Sequence, residues 1–219
     1  MIIAIDGPAG AGKSTVAKLL AGRLGFLYID TGAMYRALTL KALDEGVDAG
    51  DEAALEALAG RTTIALENTS GGALQVLLDG RDVSVQIREP RITKYVSQVA
   101  KVKGVREVMV GLQRSLGRRH SSVMDGRDIG TVVFPAAEKK FYLDASVEER
   151  VNRRYKELQP LNRGLAREEV ARDLTCRDTI DSTRECGPLK KADDAVYVDT
   201  TRMTITEVVD TLYTLSTHG

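Results

Sequence analysis

The chain has 219 residues, of which 43% are hydrophobic and 28% are charged, a balance typical of a globular protein that buries a substantial core. Its 31 basic and 31 acidic residues cancel, so no overall field favours nucleic acid or an anionic membrane, and any anion must be bound by a local cluster. The two cysteines and two histidines make neither a disulfide framework nor a cluster with metal-ligand spacing.

Five short apolar runs, each ending in Asp, predict strands: IIAID (2–6), FLYID (26–30), SSVMD (121–125), KFYLD (140–144) and AVYVD (195–199). None alternates with polar residues, which is typical of strands buried on both faces of a parallel sheet. Helical patterns lie between the runs, and Ser146 with Glu149 and Thr204 with Glu207 have the capping-box spacing of helix starts. The sequence therefore predicts an α/β fold, with a parallel five-stranded sheet flanked by helices. Because the first run is too short for a signal peptide and no transmembrane-length run follows, we expect a cytoplasmic protein.

The segment GPAGAGKST (7–15) lies between the first strand and a helix that we expect to end at Gly25. It matches GxxxxGK[ST], in which glycines let backbone N–H groups surround a polyphosphate, the lysine reaches the outer phosphates and the serine can bind Mg²⁺. We expect all nine residues to contact ATP: Gly7, Pro8, Ala9, Gly10, Ala11, Gly12, Lys13, Ser14 and Thr15. This P-loop does not define the reaction, since switches, motors, regulators and kinases all use it.

The segment DTGAMYR (30–36) follows the second strand, at the sheet edge where ligands bind in open α/β folds. We expect Thr31 to cap the next helix and Arg36 to reach an anion. A capped helix with one surface arginine is the alternative.

A β-rich region separates this segment from the third strand. TTIALEN (62–68), LQVLLDG (74–80) and DVSVQI (82–87) predict a small antiparallel sheet with tight turns, one of them at TSGG. Two helical patterns follow, and in the second a shared face is predicted for Val105, Val108, Met109, Leu112 and Leu116.

The segment DGRDIGT (125–131) ends the third strand at the same edge of the sheet. Asp125 can hold Mg²⁺ through water, and Arg127 can bridge the donor and acceptor phosphates as charge shifts between them. A simple turn made by Asp and Gly is the alternative.

Two further segments lie in the arginine-rich span 150–184. QPLNRG (159–164) predicts either a mobile lid or the turn of a helical hairpin. In RDTIDSTR (177–184), a helix would place Arg177, Asp181 and Arg184 on one stripe, offering two guanidinium groups to phosphate and a carboxylate to a sugar hydroxyl. A surface ion-pair ladder is the alternative.

Taken together, GPAGAGKST, DTGAMYR, SQVA, VRE, DGRDIGTVVFP and RDTIDSTR resemble the bacterial cytidylate kinases, of the nucleoside monophosphate kinase family, over nearly the whole chain. The resemblance implies a single P-loop kinase domain (1–219) with a small β-rich NMP-binding insert at about 37–100 and a helical lid at about 153–172. It implies transfer of the ATP γ-phosphoryl group to CMP or dCMP with Mg²⁺ as cofactor. We expect a monomer that binds nucleotides and neither nucleic acid nor membrane.

The motifs and the resemblance together assign roles to individual residues. Catalysis is expected of Lys13, Arg127 and Arg184, Mg²⁺ binding of Ser14 and Asp125, and contact with the ATP phosphates of Arg153 and Arg154 in the lid. CMP binding is expected of Thr31, Arg36, Ser97, Arg106, Arg127, Asp128, Arg177, Asp181 and Arg184. Of these, the family likeness assigns Ser97, Arg106 and Asp128 to cytosine, whose amino group donates to a carboxylate where uracil presents an acceptor.

Two alternatives stay open from the sequence. One is a P-loop kinase for another acceptor, such as UMP, AMP or a small metabolite. The other is a nucleotide-binding regulator, although the chain has no NKxD stretch of the kind that reads guanine in GTPases.

Overall fold

Strands and helices alternate along most of the chain. A computed structural model describes residues 1–68, 74–159 and 164–218 of the protein. The strands are β1 (Ile2–Asp6), β2 (Leu27–Asp30), β3 (Ile64–Asn68), β4 (Leu74–Leu78), β5 (Arg81–Asp82), β6 (Ser122–Gly126), β7 (Lys139–Asp144) and β8 (Val196–Asp199). The α-helices are α1 (Lys13–Leu24), α2 (Thr31–Asp44), α3 (Glu52–Gly60), α4 (Pro90–Lys101), α5 (Lys103–Gly117), α6 (Val147–Leu158), α7 (Arg167–Thr183) and α8 (Ile205–Thr217).

The main sheet has five parallel strands in the order β2-β6-β1-β7-β8, which confirms the predicted fold class. The register pairs Asp6 of β1 with Gly126 of β6, and Asp30 of β2 with Asp125 of β6. The segments that follow β1, β2 and β6 therefore leave the sheet side by side at its carboxyl edge. The prediction that the strands are buried on both faces is confirmed for the central strands. It is wrong for β8, where Val196 is 44% exposed because the strand lies at the sheet edge.

Helices cover both faces of this sheet. On one face, α1 and α8 pack through Leu20 and Leu212 against Ile3 and Phe141. On the other face, Val110 of α5 joins a smaller apolar cluster that includes residues of the segment 129–133. This sandwich fixes the carboxyl edge of the sheet relative to the start of α1.

The predicted antiparallel insert is present as the sheet β3-β4-β5, packed with α2, α3 and α4 around a second core. The third predicted strand, over 82–87, is wrong beyond Asp82, and a 3₁₀ turn occupies Gln86–Arg88. Val83 N still donates to the Val76 carbonyl at 2.9 Å, but side chains replace the ladder next to it. The Ser84 hydroxyl accepts from Val76 N at 2.9 Å, and Asp82 accepts from Ser84 N at 2.9 Å. The TSGG turn lies outside the described residues.

Helices α6 and α7 pack against each other as a hairpin through Val151, Val170 and Leu174. Residues 160–163 of the QPLNRG segment lie outside the described residues, so a lid over about 153–172 stays a prediction. Within the described ranges, no helix is long and apolar enough to cross a membrane.

The ends of the helices follow the sequence signals with small differences. The helix after the P-loop ends at Gly25 in the left-handed conformation, as predicted. Thr204 and Glu207 form a complete capping box. At Ser146 one of the two capping hydrogen bonds is present: the Ser146 hydroxyl accepts from Glu149 N, but the Glu149 carboxylate accepts from Arg153 instead of the Ser146 N–H. The predicted face of α5 is wrong at Val108, which is 36% exposed, because α5 turns other side chains, including Arg106, inward.

Candidate active site

The P-loop connects β1 to α1 at the carboxyl edge of the sheet. Gly7 has φ 147°, and a Cβ atom there would lie 1.9 Å from the carbonyl oxygen of Leu143, so only glycine fits. The helix begins at Lys13, with Gly12 as its N-cap in the left-handed conformation. The N–H groups of its first turn therefore face the loop and provide an anion site made of backbone.

Lys13 lies inside this loop. Its Nζ donates to the carbonyl of Pro8 at 2.6 Å, and the residue is 5% exposed. Burial and the nearby Arg127 guanidinium lower the pKa of Lys13 to about 7. A phosphate in the loop would stabilise the charged ammonium, which makes Lys13 suited to bind one.

Ser14 and Asp125 are adjacent, as the predicted Mg²⁺ site requires. The Ser14 hydroxyl donates to Asp125 Oδ2 at 2.7 Å, and the Tyr28 hydroxyl donates to Asp125 Oδ1 at 3.0 Å. Burial, together with the carboxylate of Asp30, raises the pKa of Asp125 to about 7, and a divalent cation would favour its ionised form. Among the described residues, no group of three or more His, Cys, Asp or Glu side chains could hold a metal ion. One carboxylate and one hydroxyl fit Mg²⁺ that takes its remaining ligands from phosphates and water.

A cavity of about 710 Å³ runs from the P-loop to a group of arginines. Ala9 to Val16 line it, whereas Gly7 and Pro8 do not. Other lining side chains come from the carboxyl edge of the sheet and from the neighbouring helices: Arg36, Asp125, Arg127, Arg153, Arg154, Arg177, Met203, Ile205 and Val208.

The two predicted lid arginines line this cavity but are already paired. Arg153 Nε donates to Glu149 at 2.9 Å, and its Nη2 donates to the carbonyl of Thr200 at 2.6 Å. Arg154 forms an ion pair with Glu157 at 2.8 Å. A Cβ at Gly12 would lie 3.7 Å from Arg153 Nη1, so Arg153 lies beside the P-loop, whereas Arg154 lies close enough to Arg36 and Arg177 to lower their pKa values.

Arg36 and Arg177 supply further positive charge to the cavity lining. Arg36 Nη1 donates to the Thr93 hydroxyl at 2.9 Å, and burial and nearby arginines, first Arg177, lower its pKa to about 9. Burial and Arg127 likewise lower the pKa of Arg177 to about 10. Arg177 Nε is buried without a hydrogen-bond partner among the described residues. Keeping these cations close together costs electrostatic free energy. An anionic ligand would lower that cost, so the arrangement favours binding of an anion.

Arg127 connects the cavity to a buried ion-paired cluster. Its Nε donates to Asp181 Oδ2 at 2.8 Å. Burial raises the pKa of Asp181, but Arg127 and Arg184 outweigh that effect and hold its pKa below the usual range. Asp181 therefore stays ionised and orients the Arg127 guanidinium.

Of the three residues expected to recognise cytosine, Arg106 and Asp128 are paired with each other, and all three lie outside the cavity lining. Asp128 is 5% exposed, and it pairs with Arg106 through Oδ2 and with Arg184 through Oδ1, the latter at 3.4 Å. Ser97 is buried on α4. Six of the nine expected CMP contacts do not line the cavity: Thr31, Ser97, Arg106, Asp128, Asp181 and Arg184.

Two local predictions at the site are wrong. Asp30, not Thr31, caps α2, because its extended backbone lets the carboxylate accept from Ala33 N at 2.8 Å. Thr31 is the first helical residue, and its hydroxyl donates to the carbonyl of Asp125 at 2.7 Å. Arg184 lies just after α7 in an extended conformation, so it does not share the helical stripe of Asp181.

Three residues of the site were missed in the sequence. Asp6 accepts from the backbone N–H groups of Ile129 and Gly130, both at 2.8 Å, and so fixes the segment after Asp128. The Tyr35 hydroxyl accepts from Arg106 at 3.2 Å. A Cβ at Gly187, which has φ 58°, would lie 2.2 Å from Asp128 Oδ2. The available signals were the aspartate ending β1, the tyrosine in DTGAMYR and the glycine in CGP.

Known proteins resemble this chain along its whole length. The cytidylate kinase family model matches residues 3–218. The cytidylate kinase of Desulforamulus reducens is 54% identical over 217 residues, covering 99% of this chain and 97% of that protein. The cytidylate kinase of Bacillus pumilus is 53% identical over 206 residues, covering 94% and 91%.

Solved structures share the fold at low identity. Shikimate kinase from Bacteroides thetaiotaomicron superposes with a TM-score of 0.51 at 15% identity, covering 99% of this chain and 98% of that one. An uncharacterised protein from Eubacterium ventriosum has a TM-score of 0.51 at 12% identity, covering 98% and 97%. At these identities the likeness extends to the fold alone. By its sequence, this chain belongs to the cytidylate kinase family.

Proposed function

We propose that this protein transfers the γ-phosphoryl group of ATP to the α-phosphate of CMP or dCMP, giving ADP and CDP or dCDP. The observation that carries the proposal is a single cavity lined both by a P-loop, which we call the donor end, and by Arg36, Arg127 and Arg177, which we call the acceptor end. Two separate groups of anion-binding donors suit two phosphorylated substrates, and a hydrolysing switch needs only the first.

At the donor end, the backbone of the P-loop binds the ATP phosphates and Lys13 neutralises their charge. Met203, Ile205 and Val208 line the same end of the cavity and offer an apolar surface to the adenine. Arg153 and Arg154 lie beside the phosphates, and closure of the proposed lid over about 153–172 would exclude water.

Ser14 and Asp125 would hold Mg²⁺ together with the ATP phosphates. The ion supplies positive charge that neutralises the phosphates during transfer. The hydrogen bond from Tyr28 orients the Asp125 carboxylate toward this position.

At the acceptor end, Arg36, Arg127 and Arg177 bind the CMP phosphate. Arg127 interacts electrostatically with both Lys13 and Arg177, so it lies close to the charges of both ends. There it can stabilise the charge that develops on the transferred group. No strong general base is needed, because the acceptor phosphate is already an anion.

The buried cluster recognises the nucleoside. Asp128 accepts from the cytosine amino group while Arg106 and Ser97 donate to the ring acceptors, and Asp181 binds the sugar. Arg184 neutralises Asp128 and the acceptor phosphate. The NMP-binding insert (about 37–100), a monomeric working unit of residues 1–219 and a cytoplasmic location belong to the same proposal, in which every group used comes from one chain.

The test is a direct product analysis across acceptors. Purified protein is incubated with MgATP and CMP, dCMP, UMP, AMP or shikimate, and the nucleotides are separated chromatographically. We expect CDP and dCDP with equal amounts of ADP, and little product from UMP. A Lys13→Ala variant, carried through the same purification, controls for contaminating kinases. Faster turnover of AMP, UMP or shikimate than of CMP would overturn the proposal.

A further inference from the structure

One residue of the P-loop is held from outside by two helices. Ala9 N donates to Asp178 Oδ1 on α7 at 3.2 Å, and the Ala9 carbonyl accepts from Arg150 Nη1 on α6 at 3.1 Å. Arg150 Nη1 also pairs with Asp178 Oδ2. The backbone N–H and carbonyl of Ala9 are therefore both hydrogen-bonded to one ion pair, Arg150–Asp178.

Packing supports the same attachment. The Ala9 methyl group belongs to a small apolar cluster with Val151, Val170 and Leu174 of the α6–α7 hairpin. Next to it, a Cβ at Gly10 would lie 3.0 Å from the carbonyl oxygen of Arg150, so the loop lies directly against α6. The P-loop thus contacts the hairpin through side chains as well as hydrogen bonds.

Arg150 is buried next to the loop and fixed by hydrogen bonds. It is 7% exposed, and its Nε donates to the carbonyl of Ala145 at 3.2 Å. Its guanidinium does not line the cavity, in contrast to Arg153 and Arg154 of the same helix. Arg150 therefore contacts the loop outside the cavity and does not touch the position proposed for ATP.

Helix α7 also carries groups of the acceptor end. Arg177 lines the cavity next to Asp178, and Asp181, three residues further on, accepts from Arg127. Residues three apart in a helix lie on the same side, about 4.5 Å apart along the axis. One rigid helix therefore holds the P-loop through Asp178 and the phosphate-bridging arginine through Asp181.

We propose that Asp178, together with Arg150, is a positioning residue for phosphoryl transfer, and that it keeps the P-loop in register with the acceptor-side groups carried by α7. The inference rests on the proposed function, in which a phosphoryl group passes between the two ends of the cavity. Transfer requires the reacting atoms to be aligned, and a displacement of about 1 Å can lower the rate on the order of 100-fold. Asp178 touches neither proposed substrate and acts through Ala9.

The experiment compares three variants by steady-state kinetics and thermal unfolding. Asp178→Ala removes both contacts, and Asp178→Asn keeps an acceptor for Ala9 N while losing the charge that pairs with Arg150. Asp173→Ala is the matched control, because Asp173 is an exposed carboxylate on the same helix without a hydrogen bond or ion pair to any described residue. Rates are measured with CMP and MgATP at least 20 °C below the melting temperature of each variant.

We expect kcat of Asp178→Ala to fall about 10- to 100-fold, with a smaller change in either KM, because alignment is lost and the binding groups remain. Asp178→Asn should recover part of that loss, and Asp173→Ala should match the wild type. Binding of a non-hydrolysable ATP analogue, measured calorimetrically with and without CMP, adds a second readout. CMP should tighten analogue binding in the wild type by a larger factor than in Asp178→Ala.

The outcomes separate this inference from the proposed function. A wild-type protein that does not phosphorylate CMP overturns the proposed function. A wild-type protein that does so, with Asp178→Ala within twofold in kcat and with unchanged coupling between the ligands, overturns the positioning role alone. A loss of kcat that tracks the unfolded fraction, without partial rescue by Asp178→Asn, assigns Asp178 to stability and also overturns it.

Discussion

The two ends of the cavity are built from different material. At the donor end, backbone N–H groups and the start of α1 make the anion site, and Lys13 Nζ donates to a backbone carbonyl. At the acceptor end, side chains from distant elements pair with one another, as Arg127 does with Asp181. A backbone site recognises any polyphosphate, whereas ion-paired side chains accept a ligand only if it replaces their partners well. We therefore expect affinity for the triphosphate to come from the donor end and selectivity to come from the acceptor end.

The largest effect should come from the residue that joins the two ends. Arg127→Ala should lower kcat by about 100- to 1000-fold, because it removes a donor aimed at charge that develops in the transition state. Thermal unfolding should change little by comparison, since Arg184 and Arg177 remain close to Asp181. Arg118→Ala is the control, because Arg118 is an exposed arginine at the end of α5. Unchanged kinetics with a large drop in melting temperature would make Arg127 a structural residue and remove the proposed link between the ends.

Selectivity should change at the acceptor end alone. Asp128→Asn should lower the ratio of kcat/KM for CMP to that for UMP by about tenfold or more, as expected from a mismatch of about 1–3 kcal/mol. The amide can donate to the uracil oxygen, which the carboxylate repels. Loss of charge beside Arg106 affects both substrates, so it largely cancels in the ratio. Asp173→Asn makes the same chemical exchange at an exposed position. A ratio equal to that of the wild type would show that Asp128 does not recognise the base.

The sequence predicted the donor end better than the acceptor end for a physical reason. The P-loop is a local motif, in which spacing and residue type determine the backbone conformation. The five strands were also predictable, because buried parallel strands are continuous apolar runs. The contacts that organise the acceptor end join distant residues. Asp6 and Ile129 are 123 positions apart, and Arg127 and Asp181 are 54 apart, so no local pattern indicates these pairs.

Local competition explains the smaller errors. Asp30 and Thr31 can both cap a helix, and the backbone of Asp30 decides between them by being extended. In the insert, Asp82 and Ser84 use their side chains for hydrogen bonds that a strand would make with its backbone. Sequence patterns identify groups that can form such contacts, but the tertiary structure selects the one that forms.

The smallest expected effect is a difference between the two ends in the number of protons taken up when a ligand binds. Burial lowers the pKa of Lys13 to about 7, so at pH 8 the amine is mostly neutral, and ATP phosphates should raise its pKa again. ATP binding at pH 8 should therefore take up close to one proton, whereas CMP binding should take up fewer. The same shift predicts that the free energy of unfolding rises with pH between about 7 and 10.5, because the unfolded chain binds the proton more tightly there. Calorimetric titrations with EDTA, in buffers of different ionisation enthalpy, measure the uptake. Lys13→Arg, which stays charged, should abolish it. Binding enthalpies for ATP that do not depend on the buffer would mean that Lys13 is already charged in the free protein. The triphosphate would then not be needed to stabilise the charged form of Lys13 at the donor end.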